Sequence, residues 1–537
     1  MRSLVPCLLA ISPVVCFLIS SPPRASITLP SKTTRRKSIQ MVSSTPRKIA
    51  WPDEQPTPAV DQPAKARIVA VAPKEIKSPF QDRGNHADWF EVWSHIAKRV
   101  RWADTGVDMQ VFDAESLRPG GVGDEAPEHA RFRDAADQAD IFVASAVHDA
   151  STSEWISAVL EDAQIGTRFA VECAPSLDEA SVVGGFRPTT DTPLLRSLPG
   201  FLRDWIDGSD ASRDRKLWDT LMTFYSRNSS EDLTFLTLVL VNTYVASVPR
   251  VTGIAKESGS ETLTCMLDNC KQQVIDCAKD PKCRSCIACL NNCPPNDQVC
   301  AYRCITSYET ATMEAFSLCV LQRHNCMCNA AEIPLLPDPA PLASFRGAPL
   351  THKVAEDLFI GWLSKEAFSW KVVCGQNPAY DFFPSQHQIF YRAQGKGQMW
   401  YDPVFKVVTV DGEEVWRRRH YRVKTAMKPG TFRFSVLDNG VVSNEYWRIV
   451  DVADDLSWGV FYYAGAATVA GQSYTGALLV SRDGGWPREQ AIDRIERAFD
   501  TCGIKMWELC EVDNSNSAGA PLGLPKTYSI SNNRPLV

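Results

Sequence analysis

The stretch CMLDNCKQQVIDCAKDPKCRSCIACLNNCPPNDQVCAYRCITSYETATMEAFSLCVLQRHNCMC (265–328) holds twelve of the chain's eighteen cysteines. In its second half Cys289 and Cys293 are four apart, and so are Cys300 and Cys304. Four residues is one helical turn, so each pair lies on one face of its helix. The Pro-Pro-Asn-Asp run at 294–297 breaks the helix between the pairs and supplies a turn. Folded as a hairpin, this spacing predicts nested bridges, Cys293 with Cys300 inside and Cys289 with Cys304 outside. The same logic around Asp280-Pro281 predicts Cys270 with Cys277 and Cys265 with Cys283, leaving Cys319 with Cys326. A segment too small for its own core is stabilised in this way. A rival reading exists, because Cys283-x2-Cys286-x2-Cys289-x3-Cys293-Pro294 has the spacing of a bacterial iron–sulfur run. A cluster would strip cysteines from both hairpins and strand Cys265, Cys300 and Cys304. Histidines at zinc spacing are missing as well. Disulfides are therefore the expectation and no metal is expected; Cys286 and Cys328 are left over, as thiols or paired together.

Outward from this module the chain divides. Its 537 residues and 44% apolar content allow two or three domains, each with a core. A net charge of −6 gives no electrostatic case for nucleic acid. Residues 1–52 contain no Asp or Glu but eight Lys or Arg, and an apolar run at 3–20 opens them. That run is short and Pro-interrupted for a membrane span, so 1–52 reads as a plastid targeting leader, with a plain secretory signal as the alternative. Residues 53–65 read as a linker. Over 66–250, RIVAVAP (67–73), VDMQVFD (107–113), ADIFVASAV (139–147) and RFAVECAP (168–175) alternate with helical stretches such as 88–100 and 152–163. This predicts a small parallel α/β sheet. The glycines of GGVGDEAP (120–127) do not sit in a strand–turn–helix phosphate loop.

After the cysteine module (262–330) and a Pro-rich connector (333–345), the chain is β-rich from 346 to 512. Eight runs read as strands: 370–375, 387–393, 398–410, 414–423, 430–437, 445–453, 458–465 and 475–481. Turn residues separate them, as in consecutive hairpins. An amphipathic helix at 487–503, with Ile492, Ile495 and Phe499 on one stripe, follows them. The fold class is thus multidomain, α/β plus all-β: an N-terminal α/β domain, a disulfide-stapled helical module and a lipocalin-type eight-stranded barrel with a closing helix. Residues 513–537 form a tail. Such a barrel suits one elongated apolar ligand. Trp370 reads as a plug at its floor. The WRRRHYR run (416–422) reads as a solvated outer face or a contact with anionic lipid.

The Cys265–Cys326 set, PDPAPLASF (337–345), and WKVVCGQNPAYDFF (370–383) with Asn377, Pro378 and Asp381 together resemble the violaxanthin de-epoxidase family. WRRRHYRV, GTFRFSVLDNGVVSNE and VAGQSYTGALLV are similar to its plastid branch of de-epoxidase-related proteins. The resemblance implies a plastid oxidoreductase of the xanthophyll cycle, in the thylakoid lumen or membrane-associated, with the stroma left open by the sequence. It would remove the epoxide oxygen of a violaxanthin-like carotenoid with ascorbate as reductant. It places the catalytic acid on Glu445, a tyrosine on Tyr463 and a mouth aspartate on Asp381. Trp447, Gln386 and Tyr474 become the substrate-binding candidates. An inward arginine, Arg433 or Arg448, is the expected holder of the ascorbate anion, a reading from charge alone. Strand parity leaves open whether Glu445, Trp447 and Ile449 face inward, or Tyr446, Val450 and Val452.

The sequence also departs from the family pattern. The acid is Glu rather than Asp, and Pro384 replaces a second mouth acid. A family bridge falls on Ser385 and Asn516, for which Cys374, Cys502 and Cys510 are candidate substitutes. Two other functions fit the same residues: rearrangement of a carotenoid epoxide without reductant, and carotenoid binding without turnover.

Overall fold

The computed structural model describes residues 49–56, 58, 63–120, 127–181, 215–252, 260–363, 369–376 and 383–524. Most of the leader and residues 121–126 of the glycine-rich run lie outside these.

The N-terminal sheet has four parallel strands in the order Val107–Asp113, Ala66–Ala72, Ile141–Ser145, Thr167–Val171. Its strands are apolar on both faces because helices cover both. Ile68 and Ala70 share a core with Trp93 and Ile96 of helix Trp89–Ala103. Val69 and Val71 pack instead with Phe132 and with Ile156 of helix Ala150–Asp162. Asp88 and Asp149 cap these two helices, each accepting a backbone N–H of the first turn.

The cysteine module is a chain of short helices, among them Ser260–Asn269, Lys271–Lys279, Pro281–Asn292, Gln298–Tyr308 and Ala311–Ser317. Cys289 is bonded to Cys304 and Cys293 to Cys300 across the Pro-Pro turn. The first half corrects the nested expectation. Cys270 is bonded to Cys319 rather than Cys277, Cys265 to Cys326 rather than Cys283, and Cys277 to Cys283. The reason is local. Cys270 is the non-helical N-cap of Lys271–Lys279, so 265–279 is two helices rather than one hairpin arm. Helical spacing does not carry through that break, and Cys265 and Cys270 turn toward the segment Leu318–Arg323 and the loop after it. The ferredoxin-like run is dispersed among three disulfides and Cys286, a buried thiol that burial pushes up to about 11. Cys328 is an exposed thiol and is not bonded to Cys286.

The C-terminal half is a closed up-and-down barrel of eight strands. They run in ring order Trp370–Gly375, His387–Arg392, Gln398–Val408, Tyr421–Thr425, Thr431–Asp438, Val441–Val452, Trp458–Ala467 and Gln472–Ser481. Trp370–Gly375 closes the ring by pairing with both His387–Arg392 and Gln472–Ser481. The single strand expected at 414–423 is two. Glu414–Arg418 folds back on Val404–Val408, while Tyr421–Thr425 continues the barrel against Gln398–Tyr401. Asp402 fixes the break: it accepts from Arg418 Nε at 3.0 Å, and His420 Nδ1 lies 2.7 Å from its other oxygen. The charges of this run are not a bare outer face. Arg417 pairs with Glu309, Arg418 with Asp402 and Arg419 with Asp438.

One end of the barrel is closed by helix His352–Ile360. Its Phe359 stacks on Phe390 at 4.7 Å, and Trp370 donates its indole N–H to the carbonyls of Leu358 and Phe359. The closing helix is Ile492–Thr501, shorter than expected, with Ile492, Ile495 and Phe499 buried against the barrel's outer wall. The other end meets the cysteine module. Tyr302, on helix Gln298–Tyr308, lies 5.7 Å from the ring of Phe383 and 5.9 Å from that of Phe405. Arg303 donates to the carbonyls of Val408 and Thr409, which fixes the helix there.

The α/β domain is tied to the barrel through 507–508. Trp507 packs into the N-terminal core. Glu508, with no exposed side-chain surface, lies 2.7 Å from both His95 and Arg99. Burial pushes this carboxyl up, but Arg99 and His95 outweigh it and hold it down to about 2. Residues 51–54 also dock on the barrel. Arg433 bonds Asp53 at 2.7 Å and Glu54 at 3.0 Å, and its guanidinium lies over Trp51. Arg433→Ala therefore releases this segment at a cost of about 0.5–1 kcal/mol, the usual worth of a partly exposed pair. Limited proteolysis at 49–56 should accelerate with little change in melting temperature; unchanged cleavage would show that the ion pair does not hold the segment.

Candidate functional site

Position 445 lies in the middle of the barrel wall, opposite Phe434 on one neighbouring strand and Gly465 on the other. Parity resolves in favour of Glu445, Trp447 and Ile449 facing the interior. Tyr446 and Arg448 face out, where the Arg448 guanidinium lies over the Tyr446 and Tyr462 rings and pairs with Asp338. Arg433, opposite Tyr446, faces out as well. Neither arginine reaches the interior, which corrects their expected role toward an anion inside the barrel.

Glu445 is 4% exposed. Its Oε2 accepts the Trp447 indole N–H at 2.6 Å, and its Oε1 accepts the Tyr474 hydroxyl at 2.8 Å. The Tyr421 hydroxyl is a third donor. Burial raises the carboxyl above its ordinary 4.5, and these hydrogen bonds only partly offset the shift. The site is thus an enclosed carboxylic acid that retains its proton above the usual range, oriented by two phenols and an indole.

Two glycines make this geometry available. Tyr463-Ala-Gly465 and Tyr474-Thr-Gly476 repeat one pattern on adjacent antiparallel strands, and the register pairs Tyr463 with Gly476 and Tyr474 with Gly465. Each phenol covers the glycine opposite. A Cβ at Gly465 would sit 2.6 Å from the Tyr474 ring, and one at Gly476 2.6 Å from that of Tyr463. The Tyr-x-Gly repeat is the sequence signal that marks this arrangement. Tyr421 carries no such signal, because the break at Arg419-His420 divides 414–423 into two strands and resets its parity.

The candidates read from the sequence fall as follows. Tyr463 stacks on Trp447 at 5.1 Å and lies 6.3 Å from Tyr474, so Tyr474, not Tyr463, touches the acid directly. Trp447 is the acid's hydrogen-bond donor as well as a wall of the cavity. Gln386 is buried, lines the cavity and donates to the Phe383 carbonyl at 2.9 Å. Gln388, also in the lining, accepts from Tyr401. Asp381, Asn377 and Pro378 lie outside the described residues. Ser385 and Asn516 do meet, the Ser385 hydroxyl donating to the Asn516 carbonyl. Cys374, Cys502 and Cys510 are in no disulfide, which corrects the expected substitute bridge. The cavity beside Glu445 measures about 30 Å³, space for a water molecule but not for a ligand ring. Phe405 borders both this cavity and Tyr302, so the stapled helix Gln298–Tyr308 stands at its mouth.

Tyr474→Phe removes one donor to the ionised carboxyl, a charge-assisted hydrogen bond of about 1.5 kcal/mol. The Glu445 titration should rise by about one pH unit, read from the carboxyl stretch in difference infrared spectra against Glu445→Gln. An unmoved titration would mean that Tyr474 does not bond the ionised form.

Residues 262–514 match the family model described as the VDE lipocalin domain. Violaxanthin de-epoxidase, chloroplastic, of Nicotiana tabacum is 23% identical over 49% of this chain and 52% of its own length. The Arabidopsis thaliana protein of the same description is 23% identical over 54% of this chain and 61% of its own. The chain thus spans about half to three-fifths of the length of these curated relatives. Among solved structures, lipocalin 12 from rat epididymis matches 35% of this chain and 95% of its own, at 14% identity and a TM-score of 0.24. Through its segment 262–514, this chain is similar to the violaxanthin de-epoxidase family.

Proposed function

We propose that the barrel admits the end group of an epoxidised carotenoid and that Glu445, in its protonated form, donates a hydrogen bond and then its proton to the epoxide oxygen. The observation that supports this reading most is the enclosed carboxyl itself, raised by burial and held by Tyr474 and Trp447. An epoxide oxygen is a poor leaving group until protonated, and a carboxylic acid that keeps its proton at mildly acidic pH can deliver one. In the reductive form of the reaction ascorbate supplies two electrons and two protons. Both carbon–oxygen bonds of the epoxide break, a carbon–carbon double bond forms, the oxygen leaves as water, and ascorbate becomes dehydroascorbate. The chloroplastic description of the relatives supports a plastid as the compartment.

One observation favours a second reading. Among the described residues the cavity lining carries no cation, only Glu445 with glutamine, tyrosine and apolar side chains, so the ascorbate anion has no counter-charge there. Protonation without a reductant would open the ring and let the carbon skeleton lose its proton elsewhere, giving a product of unchanged mass. The deciding experiment is incubation of the purified, disulfide-intact protein with violaxanthin, with and without ascorbate. A product lighter by one oxygen, formed only with ascorbate, supports the reductase. A new product of unchanged mass supports rearrangement, and bound but unchanged pigment in both arms rejects turnover. In either reading the 30 Å³ cavity must enlarge, and among the described residues helix Gln298–Tyr308 stands at its mouth.

A further inference from the structure

Among the described residues, a void larger than the barrel cavity lies outside the barrel. It lies between the α/β domain, the connector and the barrel's outer wall, and measures about 430 Å³. That is within the range of sites that enclose a small organic molecule. We propose that this cleft is a second binding site, independent of the barrel, for an amphipathic organic anion: a carboxylate on an apolar body, held at its charged end by Arg250.

The apolar surface comes from Trp102, Pro249, Ile333, Leu336 and Ile504. The charged end is set by two arginines, Arg99 and Arg250, both in the lining. Their acidic partners are not. Glu231, which bonds both guanidinium groups, and Glu508, which bonds Arg99, are not in the lining. The face turned to the cleft is therefore cationic, although the four groups balance in total. Among the described residues the lining contains one carboxylate, Glu332, on the exposed side of the connector.

The two arginines differ in how fully they are used. Arg99 gives one terminal nitrogen to each of Glu508 and Glu231. Arg250 gives only Nη2, to the carboxylate that it shares with Arg99. A fifth of its side chain remains accessible. Its Nη1 is thus available to donate a charge-assisted hydrogen bond to a carboxylate oxygen in the cleft. Burial, and then the neighbouring Arg99, pull the Arg250 guanidinium down to about 10. It stays charged at neutral pH and would be relieved by a counter-anion in the cleft. On the barrel side the floor is polar, with the outward-facing Ser473 and Thr475 beside the inward-facing Tyr474.

The test is calorimetric titration of the full, disulfide-intact chain with decanoate as a linear probe, 2-naphthoate as an aromatic one, and decan-1-ol as the uncharged control. Arg250→Gln removes the charge and keeps a polar side chain; Arg250→Lys restores the charge as a single ammonium. Ser473→Trp fills the cleft from the barrel wall and leaves both arginines in place, so the test survives misfolding of an arginine variant. Saturable binding of either carboxylate, weakened about tenfold or more by Arg250→Gln and by Ser473→Trp, partly rescued by Arg250→Lys and unaffected by Glu445→Gln, is expected. Which probe binds tighter tells a chain-shaped from a ring-shaped natural ligand. Three results would overturn the proposal: no saturable binding of either carboxylate, equal binding in wild type and Ser473→Trp, or decan-1-ol binding as tightly as decanoate.

Discussion

The Glu445→Gln variant is expected to fold and to lose about a hundred- to ten-thousand-fold of turnover, the usual contribution of a positioned general acid. The amide keeps the shape of the side chain. Its oxygen accepts from the Trp447 indole, and its N–H2 group meets Tyr474, a phenol that accepts as readily as it donates. Only the proton is lost. Two pH dependences separate this from a packing effect. Because the folded carboxyl titrates above 4.5, wild-type turnover should fall as pH rises through that raised value. For stability the sign runs the same way. Between 4.5 and the raised value the unfolded chain has released the proton and the native state still holds it, so stability declines with rising pH, by about 1.4 kcal/mol per unit. Below 4.5 both states are protonated and the contribution is constant; above the raised value both are ionised and the full cost persists. Glu445→Gln removes this slope, so the wild-type-minus-variant difference in denaturant midpoint should decline across that window and be flat outside it. A variant that keeps its turnover sinks the assignment of the acid, whatever its stability.

That Glu445 faces inward was not legible from its own strand. Period-two alternation divides Glu445, Trp447 and Ile449 from Tyr446, Arg448 and Val450 without saying which set is enclosed. Only the register with Phe434 and Gly465 and the outward ion pairs of Arg433 and Arg448 decide it. The strand count was readable because turn residues separate alternating runs, yet the break at Arg419-His420 was not. A long-range carboxylate, Asp402, causes that break, and nothing beside it in sequence announces it. The Tyr-x-Gly repeat shows the converse case, a signal present in the sequence whose meaning depends on antiparallel register. The cysteines divide in the same way. The Pro-Pro-Asn-Asp turn fixes the second hairpin locally, whereas the first depends on Cys270 ending one helix and on partners some fifty residues downstream.

That difference in pairing has a measurable consequence. Replacing Cys265 and Cys326 together by Ser is expected to cost about 3 kcal/mol, against about 2 kcal/mol for Cys277 with Cys283, if bridges act by restricting the unfolded chain. With Cys270–Cys319 intact the first bridge closes a ring of about twelve residues, from Cys265 to Cys270 and from Cys319 to Cys326, and the second closes a loop of 6. Had Cys265 paired with Cys283 and Cys270 with Cys277, both loops would be short and the two costs would converge. Cys265–Cys326 and Cys270–Cys319 draw helix Ser260–Asn269 onto Leu318–Arg323 around Met266, Phe316 and Val320. Losing the outer of these bridges therefore loosens the module as a whole. Helix Gln298–Tyr308 is the module's contact with the barrel mouth through Tyr302, Phe383 and Phe405, so a loosened module also frees the path to Glu445. Denaturant midpoints measure the first effect. Uptake of an apolar fluorophore, lost again on adding Tyr463→Trp to fill the interior, measures the second. Equal costs for the two cysteine pairs would overturn the loop argument. A loosened module that admits no fluorophore would show that the mouth is closed by something other than the stapled helix.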